Sequence, residues 1–73
     1  MMLPGMLALI DDGGYGLYAG CDLHWPRRPG LTVGEVVLVI QRTSRGLYAS
    51  VLVLLGDGRV GWLNERCLRS IKA

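Results

Sequence analysis

The sequence lacks phenylalanine and has only one histidine, two cysteines and three prolines among its 73 residues. Charged residues are also few, at 19%, and the formal net charge is only +2. A disordered tail is excluded, because such chains are polar and strongly charged, whereas 51% of these residues are hydrophobic. The short length leaves no room for a second core, so we expect a single domain spanning residues 1–73.

The sequence also has no apolar run long enough to cross a membrane as a helix. The first apolar stretch, residues 6–10, follows Pro4-Gly5 and ends at Asp11-Asp12. We expect no signal peptide, because no basic segment precedes this stretch and no small-x-small cleavage site follows it. A cytoplasmic or virion-associated protein that does not contact the membrane is therefore expected.

Groups that could support catalysis or bind a metal are scarce. Cys21 and His24 form a Cys-x-x-His pair, but zinc needs three or four protein ligands, and only the distant Cys67 could add one. A Cys21 nucleophile with His24 as its base has no apparent third group to orient the histidine. We expect no enzymatic activity, cofactor, metal site or small-molecule substrate. The two cysteines can form one bridge or stay reduced, and their small number favours free thiols.

Short apolar runs alternate with glycine, asparagine and aspartate, a pattern typical of strands joined by turns. Residues 36–40 are a clear case, because four of the five are β-branched and fit a pleated sheet. The dense glycines and prolines of residues 11–30 predict one long irregular loop. Five strands are predicted, at residues 6–10, 33–42, 47–55, 59–63 and 68–71.

Gly56-Asp57-Gly58 lies between two apolar runs and predicts a tight hairpin in which Gly58 takes a positive φ. A two-residue loop at Asp57-Gly58 would place Leu55 opposite Val60 and Val53 opposite Trp62. Because asparagine is a good N-cap, residues 64–66 are predicted to form a single helical turn. The predicted core includes Trp62, Leu52, Val37, Val39 and Leu68.

The order of these segments resembles the Src-homology-3 (SH3) family over almost the whole chain. Residues 8–12, Ala-Leu-Ile-Asp-Asp, look like the family's opening Ala-Leu-Tyr-Asp-Tyr strand, and residues 31–40 look like its Leu, polar, x, Gly, acidic, apolar segment. Residues 58–63 resemble its Gly-x-x-Gly strand, and Cys67-Leu68 fall where a Tyr-Val pair ends the helical turn. The resemblance implies an all-β, five-stranded SH3-like barrel with a long first loop and one short 3-10 turn before the last strand.

Peptide-binding members of this family grip a polyproline-II ligand in an aromatic groove. In this chain most of the groove positions hold other residues, namely Ile10, Asp12, Leu47-Tyr48, Asn64 and Cys67. The chain therefore resembles the bacterial and phage barrels that lack the groove, and a proline-rich ligand is not expected.

The apolar residues outnumber those that so small a barrel can bury, which favours an exposed interface. The sequence thus predicts a non-catalytic protein-interaction or structural module, either a small subunit of a larger assembly such as a phage particle or a homo-oligomer. Tyrosine, tryptophan and arginine are common interface anchors. The predicted partner-binding residues are Tyr15, Tyr18, Trp25, Arg27 and Arg28 in the long loop, together with Tyr48.

Two alternatives remain open at this point. Tyr15 and Tyr18 can instead fold back and cover the open end of the barrel. A domain this small buries only part of its apolar surface, so covering side chains would protect the core from water. The chain can also be a nucleic-acid-binding small barrel, since it has eight Lys and Arg residues and aromatic rings that stack on bases. Six acidic residues interrupt these cations, however, and favour an ordinary mixed-charge surface.

Overall fold

A computed structural model describes residues 1–12, 16–20, 27–28, 30–45 and 47–71, and within these ranges the chain is all-β, as predicted. Seven strands and one 3-10 turn follow one another along the chain: β1 (Leu7–Ile10), β2 (Leu17–Tyr18), β3 (Arg27–Arg28), β4 (Val36–Arg45), β5 (Tyr48–Leu55), β6 (Val60–Asn64), the 3-10 turn (Glu65–Cys67) and β7 (Leu68–Ser70). The strands pair antiparallel in a single sheet of order β3-β2-β6-β5-β4-β1-β7.

The five predicted strands correspond to β1, β4, β5, β6 and β7. The predicted count was too low, because β2 and β3 lie in the segment that was expected to be one irregular loop. These two strands pair with each other, and Tyr18 of β2 lies opposite Trp62 of β6. Strands of two residues are too short to show any alternation of apolar and polar residues, so the sequence carries no signal for them.

The second predicted strand starts later than expected, at Val36 rather than at residue 33. The cause is a turn at Gly34, whose φ is +92°. In this turn the Gly34 N–H donates to the Ile10 carbonyl at 2.7 Å, and the Ile10 N–H donates to the Glu35 carbonyl at 2.9 Å. These bonds tie the end of β1 to the start of β4.

The β5–β6 hairpin has the predicted positive φ at Gly58, +94°, but its loop holds three residues instead of two. The Gly58 N–H donates to the Leu55 carbonyl at 3.0 Å, and the Leu55 N–H donates to the Arg59 carbonyl at 2.8 Å. This is the arrangement of a turn followed by a glycine bulge. The predicted register was therefore wrong by one residue, and Leu54 rather than Leu55 lies opposite Val60.

The shift in register changes which side chains enter the core. Of the predicted core residues, Val37, Val39 and Leu68 are buried, whereas Trp62 and Leu52 lie opposite each other and are only half-buried. The prediction that Trp62 and Leu52 are core residues was wrong. The one-residue slip places Trp62 opposite Leu52 instead of the buried Val53, and Leu52 itself lies between the buried Val51 and Val53 in β5, so both point to the other face. The buried hydrophobic cluster consists of Met2, Ala8, Ile10, Leu17, Val37, Val39, Val51, Val53, Leu55, Leu63 and Leu68.

Gly61 allows β2 to pack closely on β6. A Cβ atom at this position would lie 2.9 Å from the Leu17 Cβ and 3.2 Å from the Tyr18 carbonyl oxygen. Because such a contact is too short, a larger residue would push β2 away from the sheet. The bare backbone of Gly61 thus lets Leu17 enter the core, where only 3% of its surface is exposed.

The predicted helical turn is present as the 3-10 turn, and Asn64 is its N-cap. The Asn64 side-chain oxygen accepts a hydrogen bond from the Arg66 N–H at 3.0 Å. This bond satisfies a backbone donor that the turn itself leaves unpaired.

The hairpin predicts that Gly58→Val lowers the melting temperature by roughly 5 to 15 °C, because a β-branched residue is strained at positive φ. Gly56→Ala is a matched control in the same turn, since no atom lies within 4 Å of the Cβ that alanine adds and Gly56 is not among the glycines with positive φ. Thermal unfolding followed by circular dichroism measures both. Equal melting temperatures for the two variants would contradict the assigned turn.

Candidate interaction surface

The four long strands β1, β4, β5 and β6 carry apolar residues on both faces. One set of alternating positions is buried in the core, and the other points away from it. In an antiparallel sheet this second face is ordinarily polar. Here it is made of the following side chains, which we call the outer apolar face: Leu7, Leu9, Val36, Leu38, Ile40, Leu52, Leu54, Val60 and Trp62.

The centre of the outer apolar face is a continuous row across four strands. Leu7 lies opposite Leu38, Leu38 opposite Leu54, and Leu54 opposite Val60. Residues paired in this way point to the same side of the sheet, with Cβ atoms about 5 Å apart. The ends of the row are the most exposed, at 51% for Leu7 and 54% for Val60. The row therefore forms an apolar strip that faces solvent.

A β-bulge in β4 keeps charge away from this strip. Val39 pairs with Val53, but the next pair is Gln41 with Leu52, so Ile40 is the extra residue. One extra residue reverses the alternation of side chains along the rest of the strand. Arg42 consequently lies opposite the buried Val51 and is directed to the inner side. Without the bulge, Arg42 would continue the series of outward positions on the apolar face.

Arg42 is held on the inner side by Glu65 of the 3-10 turn. Its Nε donates to Glu65 Oε2 at 2.6 Å, and its Nη2 donates to Glu65 Oε1 at 3.2 Å. The Met2 N–H also donates to Glu65 Oε2 at 2.9 Å. The hydrogen bond from Arg42 is the main reason that the pKa of Glu65 lies below its usual value. This carboxylate thus joins β4, the 3-10 turn and the segment before β1.

A polar groove of about 260 Å³ lies beside this ion pair. Tyr48 forms part of one wall, and the 3-10 turn contributes Asn64, Glu65 and Arg66. The Arg42 guanidinium also lines the groove, but Glu65 already binds it.

The structure locates two predicted partner-binding side chains. Tyr48 lines the polar groove, and Tyr18 lies opposite Trp62 at the edge of the outer apolar face, so the two are not brought together in one site. The backbone of Arg27 and Arg28 forms β3, next to β2, but their side chains lie outside the described part of the structure. Tyr15 and Trp25 lie outside the described residues altogether.

Sequence reasoning did not find the outer apolar face, because it placed the surplus apolar residues in the N-terminal segment and the long first loop. Of these, Met2 and Leu17 are buried in the core, and Leu7 belongs to the outer apolar face. The signal was present in residues 36–40 and 51–55, which are apolar at consecutive rather than alternating positions. In an antiparallel sheet such runs indicate that both faces are apolar. The paired rows that make the face continuous depend on register, which the runs do not specify.

The described part of the chain contains no cluster of three or more His, Cys, Asp or Glu residues that could hold a metal ion. Cys67 has a free thiol, and burial is the main factor that raises its pKa. Cys21 and His24, which could join Cys67 as metal ligands, lie outside the described residues. None of the described helical segments is long and apolar enough to span a membrane.

Comparisons of the chain with protein-family models, with curated proteins and with solved structures give no match. The function proposed below therefore depends on the geometry of the chain itself.

The Arg42–Glu65 pair predicts a pH-dependent effect of Glu65→Gln. Because the folded-state pKa of Glu65 is below the ordinary value of 4.5, its contribution to stability is complete above that pH. The contribution is lost as the pH falls through the lowered folded-state pKa. We expect Glu65→Gln to melt roughly 3 to 6 °C below the wild type at neutral pH. In acid, at a pH below the folded-state pKa, the difference should vanish.

Thermal unfolding at a series of pH values measures this difference. Glu35→Gln is the matched control, because no ion pair of Glu35 occurs among the described side chains. A difference between Glu65→Gln and the wild type that persists unchanged in acid would show that the ion pair is not its cause.

Proposed function

We propose that this chain is a non-catalytic protein-interaction or structural module built on an SH3-like barrel. It acts as a small subunit of a larger assembly, such as a phage particle, or as a homo-oligomer. The observation that carries the proposal is the row Leu7, Leu38, Leu54 and Val60, an aliphatic strip on the solvent side of a folded sheet. A protein surface that covers this strip removes it from water.

The order of the elements supports the barrel. A long excursion, residues 11–30, separates the first two long strands, and a single 3-10 turn precedes the closing strand β7. The strand β1 pairs with both β4 and β7, so the first strand lies between the second long strand and the last. This order of elements is the one that the resemblance to SH3-like barrels implies.

Folding alone does not require the outer apolar face. The chain has a separate buried cluster on the inner side of the sheet, and polar residues at the outward positions would serve that core equally well. Four of the nine side chains, Leu7, Val36, Ile40 and Val60, are between 40% and 54% exposed. Exposed apolar side chains that adjoin one another often mark an interaction surface. An interaction surface accounts for this exposure.

The predicted partner-binding loop adjoins the same face. Tyr18 and Trp62 are directly opposed, so both rings point to the same side of the sheet. Tyr18 of β2 thus continues the outer apolar face at the β6 edge. We propose that polar and aromatic contacts around the aliphatic strip come from the other predicted loop residues, namely Tyr15, Trp25, Arg27 and Arg28. Tyr48 contributes from the separate groove.

Nucleic-acid binding receives less support from the described side chains. Arg42 is bound by Glu65, Arg59 by Asp57 at 2.7 Å, and Arg69 lies 3.9 Å from Asp11. Cations that already face carboxylates are poorly arranged to neutralise a row of phosphates. The proposal therefore assigns the partner surface to apolar contact rather than to charge.

Site-specific photo-crosslinking tests the proposed function. A photoreactive amino acid at Val60, on the outer apolar face, should give protein adducts in the cells in which the chain naturally occurs. The same amino acid at Val33, which is 61% exposed and lies outside that face and outside the polar groove, is the matched control and should give few adducts. Equal labelling from the two positions, or adducts from Val33 alone, would contradict the proposal.

A further inference from the structure

We infer that β4 takes up an extended, acidic segment of a partner protein as an additional strand, along an open edge at residues 41–45. The N-terminal segment bonds to this edge only as far as Val39, whose N–H donates to the Met6 carbonyl at 2.9 Å and whose carbonyl accepts from the Gly5 N–H at 2.7 Å. Beyond the bulge, within the described part of the chain, β4 pairs with β5 alone. The inference adds a second contact surface to the proposed function and rests on it for the claim that the partner is a protein.

The pairing of β4 with β5 determines which backbone groups the open edge presents. Arg45 lies opposite Tyr48, with two residues between them in the sequence, as in a two-residue hairpin. The closing pair of such a hairpin exchanges hydrogen bonds, and so does every second pair after it. Thr43 is therefore bonded to β5 as well. The N–H and C=O groups of Arg42 and Ser44 point the other way, to the open edge.

These backbone groups are complementary to another extended strand. Arg42 and Ser44 present donors and acceptors in a line, which the N–H and C=O groups of an added strand can match. A helix has its own backbone groups bonded internally and offers no such match. The strand β7, at one end of the sheet, is less suited, because it has only three residues and the Leu68 N–H is already bonded to the Glu65 carbonyl.

The charge beside the open edge favours an acidic strand. The exposed Ser44 lines the polar groove together with Arg66 of the 3-10 turn. Arg66 is exposed and occurs in no ion pair among the described side chains, whereas Arg42 is bound by Glu65. A residue of the added strand that lies opposite Ser44 points to the same side of the sheet as Ser44. An aspartate or glutamate at that position would face Arg66 across the groove.

The same charge disfavours a second copy of this chain at the edge. Residues 41–45, Gln-Arg-Thr-Ser-Arg, contain no acidic residue, and the nearby Glu65 is already bound by Arg42. Two such edges would bring positive charges together with no acidic side chain to offset them. Charged residues on an edge strand are a common means of preventing self-association.

Titration with synthetic peptides tests the inference. The probe is a fluorescein-labelled peptide, Thr-Glu-Thr-Glu-Thr-Glu-Thr, and two matched peptides carry glutamine or lysine in place of glutamate. We expect the glutamate peptide to bind most tightly and its affinity to fall as salt is added. Equal affinity for the glutamine or lysine peptide would overturn the acidic character of the ligand. No binding of the glutamate peptide at millimolar concentration would overturn the whole inference.

A proline at the edge tests the addition of a strand. Ser44→Pro removes the N–H that would donate to the added strand, and the fold should persist because this N–H does not bond to β5. We expect Ser44→Pro to weaken binding of the glutamate peptide about tenfold or more. Ser44→Ala keeps the N–H, so it is the matched control and should bind like the wild type. Equal affinities of the two variants would overturn the inference.

A substitution of Arg66 tests the charge. Arg66→Gln should weaken binding of the glutamate peptide about threefold and remove its advantage over the glutamine peptide. A variant that keeps the full advantage of the glutamate peptide would overturn Arg66 as the residue that recognises the acidic side chain.

Amide hydrogen exchange of the wild type measures the same contact without a variant. The N–H groups of Arg42 and Ser44 should exchange quickly in the free chain and more slowly with the glutamate peptide bound. The N–H of Thr43, which the pairing directs to β5, should exchange slowly in both states. Bound peptide that protects neither Arg42 nor Ser44 would overturn the inference, as would protection of both by a dimer that forms without peptide.

The edge and the outer apolar face can fail separately. Val60-specific adducts in cells, together with no peptide binding at the edge, would overturn the inference and leave the proposed function standing. Peptide binding at the edge without Val60-specific adducts would support the inference and contradict the aliphatic strip as the partner surface. Failure of both would overturn both.

Discussion

The β-bulge at Ile40 is the constraint on which most of the structure depends. Before it, the outward side chains of β4 are aliphatic, and after it the alternation is reversed, so Arg42 turns inward. Arg42 can then bind Glu65, which also accepts the Met2 N–H and fixes the 3-10 turn before β7. The same extra residue therefore closes one end of the fold and keeps the Arg42 side chain off the outer apolar face.

Two glycines are also required for the arrangement of the strands. At Gly58 another residue would be strained by the positive φ, and at Gly61 a side chain would collide with β2. Gly58 at positive φ sets a three-residue turn, and this turn places Leu54 rather than Leu55 opposite Val60. The aliphatic row is continuous across β5 and β6 because of that register. Gly61 lets β2 approach β6 so closely that Leu17 enters the core and Tyr18 comes to lie opposite Trp62. The long first loop is thereby attached at the edge of the outer apolar face.

Local signals in the sequence predicted the all-β class, the strands β1, β4, β5, β6 and β7, the positive φ of Gly58 and the Asn64 cap, because each depends on the chemistry of one or a few adjacent residues. The register and the bulge could not be predicted in this way. Residues 36–40 and 51–55 are apolar at every position, so no alternation shows which side chains face inward, and the assignment of Trp62 to the core failed for that reason. The pairing of Arg42 with Glu65 joins residues 23 positions apart and depends on the bulge. Tyr48 and Tyr18 were both predicted to bind the partner. Nothing in the sequence indicated that they lie on different surfaces of the folded domain.

The central claim is that the outer apolar face serves contact with a partner and is not needed for the folding of the domain. Thermal unfolding of Leu54→Ser beside Val53→Ser tests it most directly, because these neighbours in β5 point to opposite faces of the sheet. We expect Val53→Ser to lower the melting temperature far more than Leu54→Ser, since Val53 is completely buried in the core. An equally large loss for Leu54→Ser would contradict the account.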